Sequence, residues 1–323
     1  MRQKIRALVF AALTTSMCAA LPANAASEKP LRILVGFSAG GGTDQVARIF
    51  GAALQKELGQ TVVVENRSGA NGVIATQDLV KSEPDGNTIM IAVNSLVTNE
   101  LLYKNLSYRV EKDVTPISLV STVPFVLTSR KSFPATNLAE LIAYAKANPG
   151  KVTYGSAGVG SPPHLFQELF DEMAGIKTSH VPYKGSAPAM ADVLGGHIDL
   201  LWLTTLQAAP NLKDKLLRPL AVSSLKRSAV LPDVPTVDES GVKGYDADMW
   251  WGFVAPAHLP EEKLRRLESA FANIVKSPDM RAKLAELGSI PWGSSSAEFA
   301  NVINRENEKW RPLIKSRNIN LDQ

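Results

Sequence analysis

The 323-residue chain carries 35 basic residues, 31 acidic residues and one cysteine, for a formal net charge of +4. A lone cysteine excludes a disulfide framework and a cysteine metal site. Basic and acidic residues alternate along amphipathic segments, which excludes the concentrated basic patch that a nucleic-acid partner needs.

The first 25 residues read as an export signal. Arg2, Lys4 and Arg6 form a basic region, residues 7–13 a short apolar region, and Ala23-Asn24-Ala25 a cleavage site, which places the mature start near Ala26. The apolar run is shorter than the roughly 20 residues of a bilayer span. Cys18 offers a competing lipoprotein reading, but Met17 is a poor residue before a lipidated cysteine and the better cleavage site lies downstream. Losing residues 1–25 lowers the 35 basic residues to 32 against 31 acidic ones and removes the only cysteine. No later apolar run is long enough to span a membrane, so any membrane partner is a separate chain.

From there strands and helices alternate. A strand is predicted over 31–37, then a helix over 43–58, with Val46, Phe50, Leu54 and Leu58 on one face. A strand over 61–65, a helix over 72–81, the turn Pro84-Asp85-Gly86-Asn87 and a strand over 88–93 follow. This β-α-β-α-β order predicts a parallel sheet covered by helices. The pattern restarts after Val120, with strands over 125–129, 152–155, 180–182, 198–203 and 217–223 and helices over 138–147, 163–174 and 187–194. The C-terminal part reads as helices over 260–275, 278–287 and 297–314, with Phe299, Ile303, Trp310 and Ile314 on one core-facing stripe. Length and restart favour two α/β domains.

Glycine-bearing loops follow several strands. Ser38-Ala39-Gly40-Gly41-Gly42-Thr43-Asp44 opens the first helix, with Thr43 or Asp44 as its cap. It lacks the Gly-Lys-Ser/Thr of a P-loop, and Gln45 stands where a dinucleotide fingerprint needs glycine. Gly69-Ala70-Asn71-Gly72, Gly155-Ser156-Ala157-Gly158-Val159-Gly160-Ser161 and Tyr183-Lys184-Gly185-Ser186 have the same character. Each is by itself either a capped turn or a loop that lends N–H groups to an anion. Lys184 is either a ligand cation or a solvated lysine. One helix terminus favours an anion by only about 0.3–1 kcal/mol, whereas micromolar binding needs roughly 8 kcal/mol, so several loops must act together. Enzyme signals are weak: a nucleophile elbow needs glycine two residues before its serine, and Tyr154 stands there before Ser156. His164, His180, His197 and His258 lack metal spacing. Asp192 and Asp199 read as helix and strand-end residues. No cofactor or metal is expected.

In this order, the loops resemble the Bug family of periplasmic solute-binding receptors, those of tripartite tricarboxylate transporters. The resemblance runs through Phe37–Asp44, Val64-Glu65-Asn66-Arg67-Ser68-Gly69-Ala70-Asn71-Gly72, Pro84-Asp85-Gly86, Tyr154–Gly158, His164-Leu165, Val181-Pro182-Tyr183-Lys184-Gly185-Ser186 and Leu231-Pro232-Asp233-Val234-Pro235-Thr236. It implies a two-lobed Venus-flytrap fold, type II-like, each lobe a mostly parallel sheet flanked by helices. Lobe 1 would be 26–123 with 249–323, and lobe 2 would be 124–248. It implies a periplasmic receptor, not an enzyme, that holds a small carboxylate in the cleft. Contacts would come from Phe37, Ser38, Ala39, Gly40, Gly41 and Thr43, from Ala70, Asn71 and Gly72, from Ser156, Ala157 and Gly158, and from Tyr183, Lys184 and Gly185. Delivery would be to a separate two-component permease, and the role suggests a monomer.

Ala39 and Ser68 stand where the family usually has proline. Many relatives also end the strand near Leu203 with an aspartate, whereas here Trp202-Leu203-Thr204-Thr205 is apolar and aromatic, then hydroxylic. That departure points away from an amino acid and towards an apolar or aromatic carboxylate, or a dicarboxylate held by Thr204 or Thr205. Trp202 is equally readable as core. Two other functions compete: a ligand-loaded partner of a sensor-kinase ectodomain, and a periplasmic hydrolase, which would need a nucleophile–base pair at the cleft.

Overall fold

The computed structural model describes residues 29–183 and 185–321, so the export signal and the role expected of Lys184 lie outside the described residues. β1 (Leu31–Val35) is followed by α1 (Gly42–Leu58), β2 (Val62–Asn66), a 3-10 turn (Ala70–Gly72), α2 (Val73–Val80) and β3 (Thr88–Ala92). Leu31, Ile33, Leu34 and Val35 are fully buried, as a strand covered on both faces requires. Val46, Phe50 and Leu54 bury the inner face of α1, which stops at Gly59 in the left-handed conformation (φ 66°). β1 pairs in parallel with both β2 and β3.

The chain continues through α3 (Ser95–Leu102), the short α4 (Val110–Asp113) and the ten-residue β4 (Val114–Val123). Pro124 alone separates β4 from β5 (Phe125–Arg130), the first strand of a second sheet. That sheet is built from α5 (Leu138–Ala147), β6 (Thr153–Ser156), α6 (Pro162–Ala174), β7 (Ser179–Pro182), α7 (Ser186–Gly195), β8 (Leu200–Thr204), α8 (Thr205–Lys213) and β9 (Leu217–Val222). The chain then returns through β10 (Met249–Pro256), α9 (Glu261–Lys276), α10 (Pro278–Glu286), β11 (Ile290–Pro291) and α11 (Ser296–Ser316). The strand orders are β11-β4-β10-β3-β1-β2 and β7-β6-β8-β5-β9. In the second sheet β5 alone runs against its neighbours. In the first, β10 runs against both β3 and β4.

α11 belongs to both halves. Phe299, Val302 and Ile303 pack under the first sheet. Trp310, Leu313 and Ile314 join the core of the second, where Trp310 stacks on Phe166 at 6.0 Å. Between these stretches Glu306 accepts hydrogen bonds from Asn94 Nδ2 at 2.7 Å and from Trp310 Nε1 at 2.8 Å, and pairs with Lys309 Nζ at 2.6 Å. Asn94 also donates to the Asp248 carbonyl at 3.2 Å and accepts from the Trp250 amide at 3.1 Å. One helix thus fastens the chain where it passes between the sheets.

At the same crossing Ser223 Oγ donates to Asp248 Oδ1 at 2.8 Å and accepts from the Phe125 amide at 2.9 Å. Burial, opposed by the Ser223 hydrogen bond and Lys309 and aided by Asp246 and Glu306, pushes the Asp248 carboxyl up to about 7. The raised value means that the folded state holds this proton more tightly than the unfolded chain. The resulting stability is complete below about pH 4 and is lost as pH rises through about 7. Asp248→Asn keeps an acceptor for Ser223 and removes the titration. The wild type is therefore expected to lose more melting temperature between pH 5 and pH 8 than the variant; equal losses would mean that another group carries the dependence.

Candidate ligand-binding site

The expected loops lie beyond the C-terminal ends of β1, β2, β6 and β7, where open α/β sheets hold their ligands. The helices that these loops open share a feature. α1, α2, α6 and α7 begin at Gly41, Gly72, Ser161 and Gly185 with no side-chain cap. Away from the loops, Asn137, Ser277 and Ser295 cap α5, α10 and α11 through their side chains, whereas α3, α4 and α9 also start without a side-chain cap. An uncapped helix start leaves N–H donors that no protein side chain satisfies.

In the first loop Ser38, Ala39, Gly40 and Gly41 are exposed, and Phe37 and Thr43 are half-buried. Gly40 takes a positive φ of 81°. Neither Thr43 nor Asp44 is the cap expected from sequence, because the helix starts one residue earlier, after Gly41. Instead the buried Asp44 reaches back to the Gly40 amide at 2.9 Å and takes Arg48 Nε at 3.0 Å and Asn66 Nδ2 at 3.0 Å. Burial pulls this carboxyl upward, but the bonds from Arg48, Gly40 and Asn66 prevail and hold it below the usual carboxylate range. Asn66 Nδ2 also donates to the Phe37 carbonyl at 3.0 Å, which fastens the loop from beneath. Thr43 Oγ1 accepts from Trp251 Nε1 at 3.2 Å, so its own proton remains to donate.

The second loop is strained. Gly69, Ala70, Asn71 and Gly72 take φ of 137°, 46°, 53° and 91° in succession, and only the glycines adopt such values freely. Asn71 and Asn99 hold the loop to α3 through two bonds, side chain to side chain at 3.2 Å and Asn99 Nδ2 to the Asn71 carbonyl at 3.1 Å. A Cβ on Gly36 would lie 2.8 Å from Gly72 Cα, so the end of β1 and the start of α2 meet backbone to backbone.

α3 joins the loops of the two halves. Its first residue, Ser95, lies beside Gly72, and its last, Leu102, lies against Gly160. At 1.5 Å per residue these two contacts stand about 10 Å apart along the helix.

In the third loop Ser156 is fully buried and Ala157 and Gly158 are half-buried. α6 opens on Pro162-Pro163, so its first two positions carry no N–H and the loop must supply its own donors. The Tyr183 amide donates to the Ser156 carbonyl at 3.1 Å, which ties the third loop to the fourth. The Tyr183 hydroxyl is turned onto α7, where it donates to Asp192 at 2.6 Å. Gly185, half-buried with φ 117°, starts that helix.

The Trp202–Thr205 segment does not join these loops. Trp202 is 1% exposed, donates through Nε1 to Gln167 Oε1 at 2.9 Å and stacks on Tyr245 at 6.0 Å. Its strand is covered on both faces: Trp202 lies in the core beneath α6, and Leu201 and Leu203 in the core beneath α7. Thr204 caps α8 in a capping box with Gln207. Thr205 is buried, and its hydroxyl donates to the Gly288 carbonyl at 3.3 Å. The spacing Thr204-x-x-Gln207 was the legible signal for a cap.

Sequence reasoning missed one contact. Ser156 Oγ lies 2.6 Å from His180 Nε2 on the neighbouring strand. It is a serine–histidine pair without catalytic access, because the serine is fully buried and no carboxylate among the described residues hydrogen-bonds His180. Among the described residues no cluster of three or more His, Cys, Asp or Glu could hold a metal, and no helix is long and apolar enough to cross a membrane.

Residues 46–319 match the model of the tripartite tricarboxylate transporter family receptor. The chain belongs to this family. Its members are solute-binding receptors rather than enzymes, and the fold is the type II periplasmic-binding-protein fold. The receptor is similar to R. palustris Rpa4515 with adipate, at 36% identity and a TM-score of 0.81, covering 90% of this chain and 98% of the other. It is similar to the periplasmic binding protein BugD at 34% identity and a TM-score of 0.78, covering 91% and 99%. MatC from Rhodopseudomonas palustris with bound malate matches at 29% identity and a TM-score of 0.77, covering 88% and 98%.

Proposed function

We propose that this receptor captures a small aliphatic dicarboxylate between its two sheets in the periplasm and delivers it to a separate two-component permease. The observation that carries the reading is the set of four loops at strand C-terminal ends, two from each sheet, whose helices start without side-chain caps. Two lobes, 26–123 with 249–323 and 124–248, would close on the ligand, with α11 shared between them, its proximal half packed on the first sheet and its distal half on the second. One carboxylate would meet the N–H groups of the Phe37–Thr43 and Ala70–Gly72 loops together with the free Thr43 proton. The other would meet the Ser156–Gly158 and Tyr183–Gly185 loops. A separation of about 10 Å along α3 leaves room for two carboxylates joined by a short chain. The core position of Trp202 removes the argument for an aromatic ligand, and adipate and malate accompany two of the similar structures.

A thermal-shift screen of residues 26–323 against adipate, malate, benzoate, aspartate and glutamate tests this. A ligand at 100 times its dissociation constant adds about 2.7 kcal/mol, and roughly 2–4 °C per kcal/mol makes that visible. The dicarboxylates without an amino group are expected to give the largest shifts. Aspartate or glutamate ahead of every other acid would overturn the reading.

A further inference from the structure

We infer that His180 is a positioning residue for the third ligand loop: its Nε2 takes the Ser156 hydroxyl proton in a hydrogen bond and so sets Gly158, while His164, stacked on it, sets Gly160. The inference rests on the ligand role proposed for that loop. Ser156 Oγ has one proton to give and two acceptors in reach, the Gly158 carbonyl at 3.0 Å and His180 Nε2 at 2.6 Å. The Gly158 carbonyl already receives Ser161 Oγ at 2.7 Å and the Ser161 amide at 3.2 Å, which occupy both its lone pairs. The proton therefore goes to His180, by the shorter contact. The serine oxygen is left to accept the Gly158 amide at 3.1 Å. This assigns the His180 ring proton to Nδ1.

His164 has the opposite tautomer. Its Nδ1 accepts the Gly160 amide at 3.0 Å, so its proton sits on Nε2. The two imidazoles stack at 4.1 Å, and the Tyr154 ring lies 4.8 Å from His180. Strand register makes the stack, because Tyr154 pairs with His180 across β6 and β7. The charged groups nearby stand behind His164: Glu168 at 4.0 Å, bonded by the Tyr154 hydroxyl at 2.7 Å and approached by Arg317 at 3.5 Å. Burial lowers His180 to about 4, so the ring is neutral and able to accept at neutral pH. Two glycine amides of the loop are thus tied through histidines before any ligand arrives, and a preformed loop spends less affinity on ordering.

Nitrogen-15 NMR of the ligand-free receptor, with His180→Gln as the assignment reference, reads the tautomer directly. A bare Nε2 and a protonated Nδ1 are expected, with faster exchange of the Gly158 amide in Ser156→Ala. A protonated Nε2 overturns the inference. Calorimetric titration with adipate should show about tenfold weaker binding in His180→Ala, the size of one lost hydrogen bond. His180→Gln, whose amide oxygen can take the serine proton, should recover most of it at an unchanged melting temperature. Wild-type affinity in His180→Ala, or equal losses in both variants, overturns the inference. A wild type with the expected tautomer and no affinity for adipate would fault the dicarboxylate reading and uphold the loop geometry.

Discussion

Trp202→Ala is expected to lower the unfolding free energy by about 3–5 kcal/mol, the range for emptying an aromatic site in a packed core. The indole is 1% exposed and lies between Phe166 and Tyr245, and its N–H meets Gln167. Removal opens a cavity beneath α6 and leaves the Gln167 oxygen without its donor. Urea unfolding measures the loss. Trp202→Phe, which keeps most of the volume, should bind the same acid within about twofold, since the ring is a core element. A variant that kept its stability and lost its ligand would move the indole to the binding site and restore the aromatic-carboxylate reading.

Glu306→Ala is the second large effect, about 3–5 kcal/mol, as for breaking a buried charge pair. The carboxylate serves Asn94, Trp310 and Lys309 at once. Alanine would strand the Trp310 Nε1–H and one proton of Asn94 Nδ2 in the interior, while Lys309 keeps the Asp246 carbonyl at 3.3 Å. Glu306→Gln, which keeps one acceptor oxygen, should cost less. A loss under about 1 kcal/mol in Glu306→Ala would show that α11 holds the two sheets together by apolar packing alone.

The parts of this fold that a reader could take from the chain are those whose burial follows a simple period. β1 is apolar at every position but Arg32, and α1 repeats Val46, Phe50 and Leu54 every four residues. α3 left no such mark. It is buried all round, with Asn94, Ser95, Thr98 and Asn99 as inaccessible as Leu96 and Val97, and so its apolar residues form no single stripe. β10 is covered on both faces and interrupted by Gly252, where a Cβ would lie 2.2 Å from the Phe299 ring; neither alternation nor turn signals frame it. α8 carries Pro210 inside it, a residue that reads as a stop. At the site the glycine loops were legible because backbone freedom is written in residue type. The Ser156–His180 contact was not, because strand register brings together two residues 24 apart, and register is a property of the assembled sheet.

The place of β10 has a consequence for how the chain folds. It lies at the middle of the first sheet, paired with both β3 and β4, yet it begins at Met249, after every strand of the second sheet. Met90 finds its partner at Val254, across about half of the polypeptide. A chain that ends before this point presents β3 and β4 with a bare edge each and nothing to close the gap between them. Such long-range pairing makes folding slow. In the first sheet the central strand is the last of the long strands in chain order, so about four fifths of the polypeptide must be present in the compartment where it folds before the sheet can zip shut.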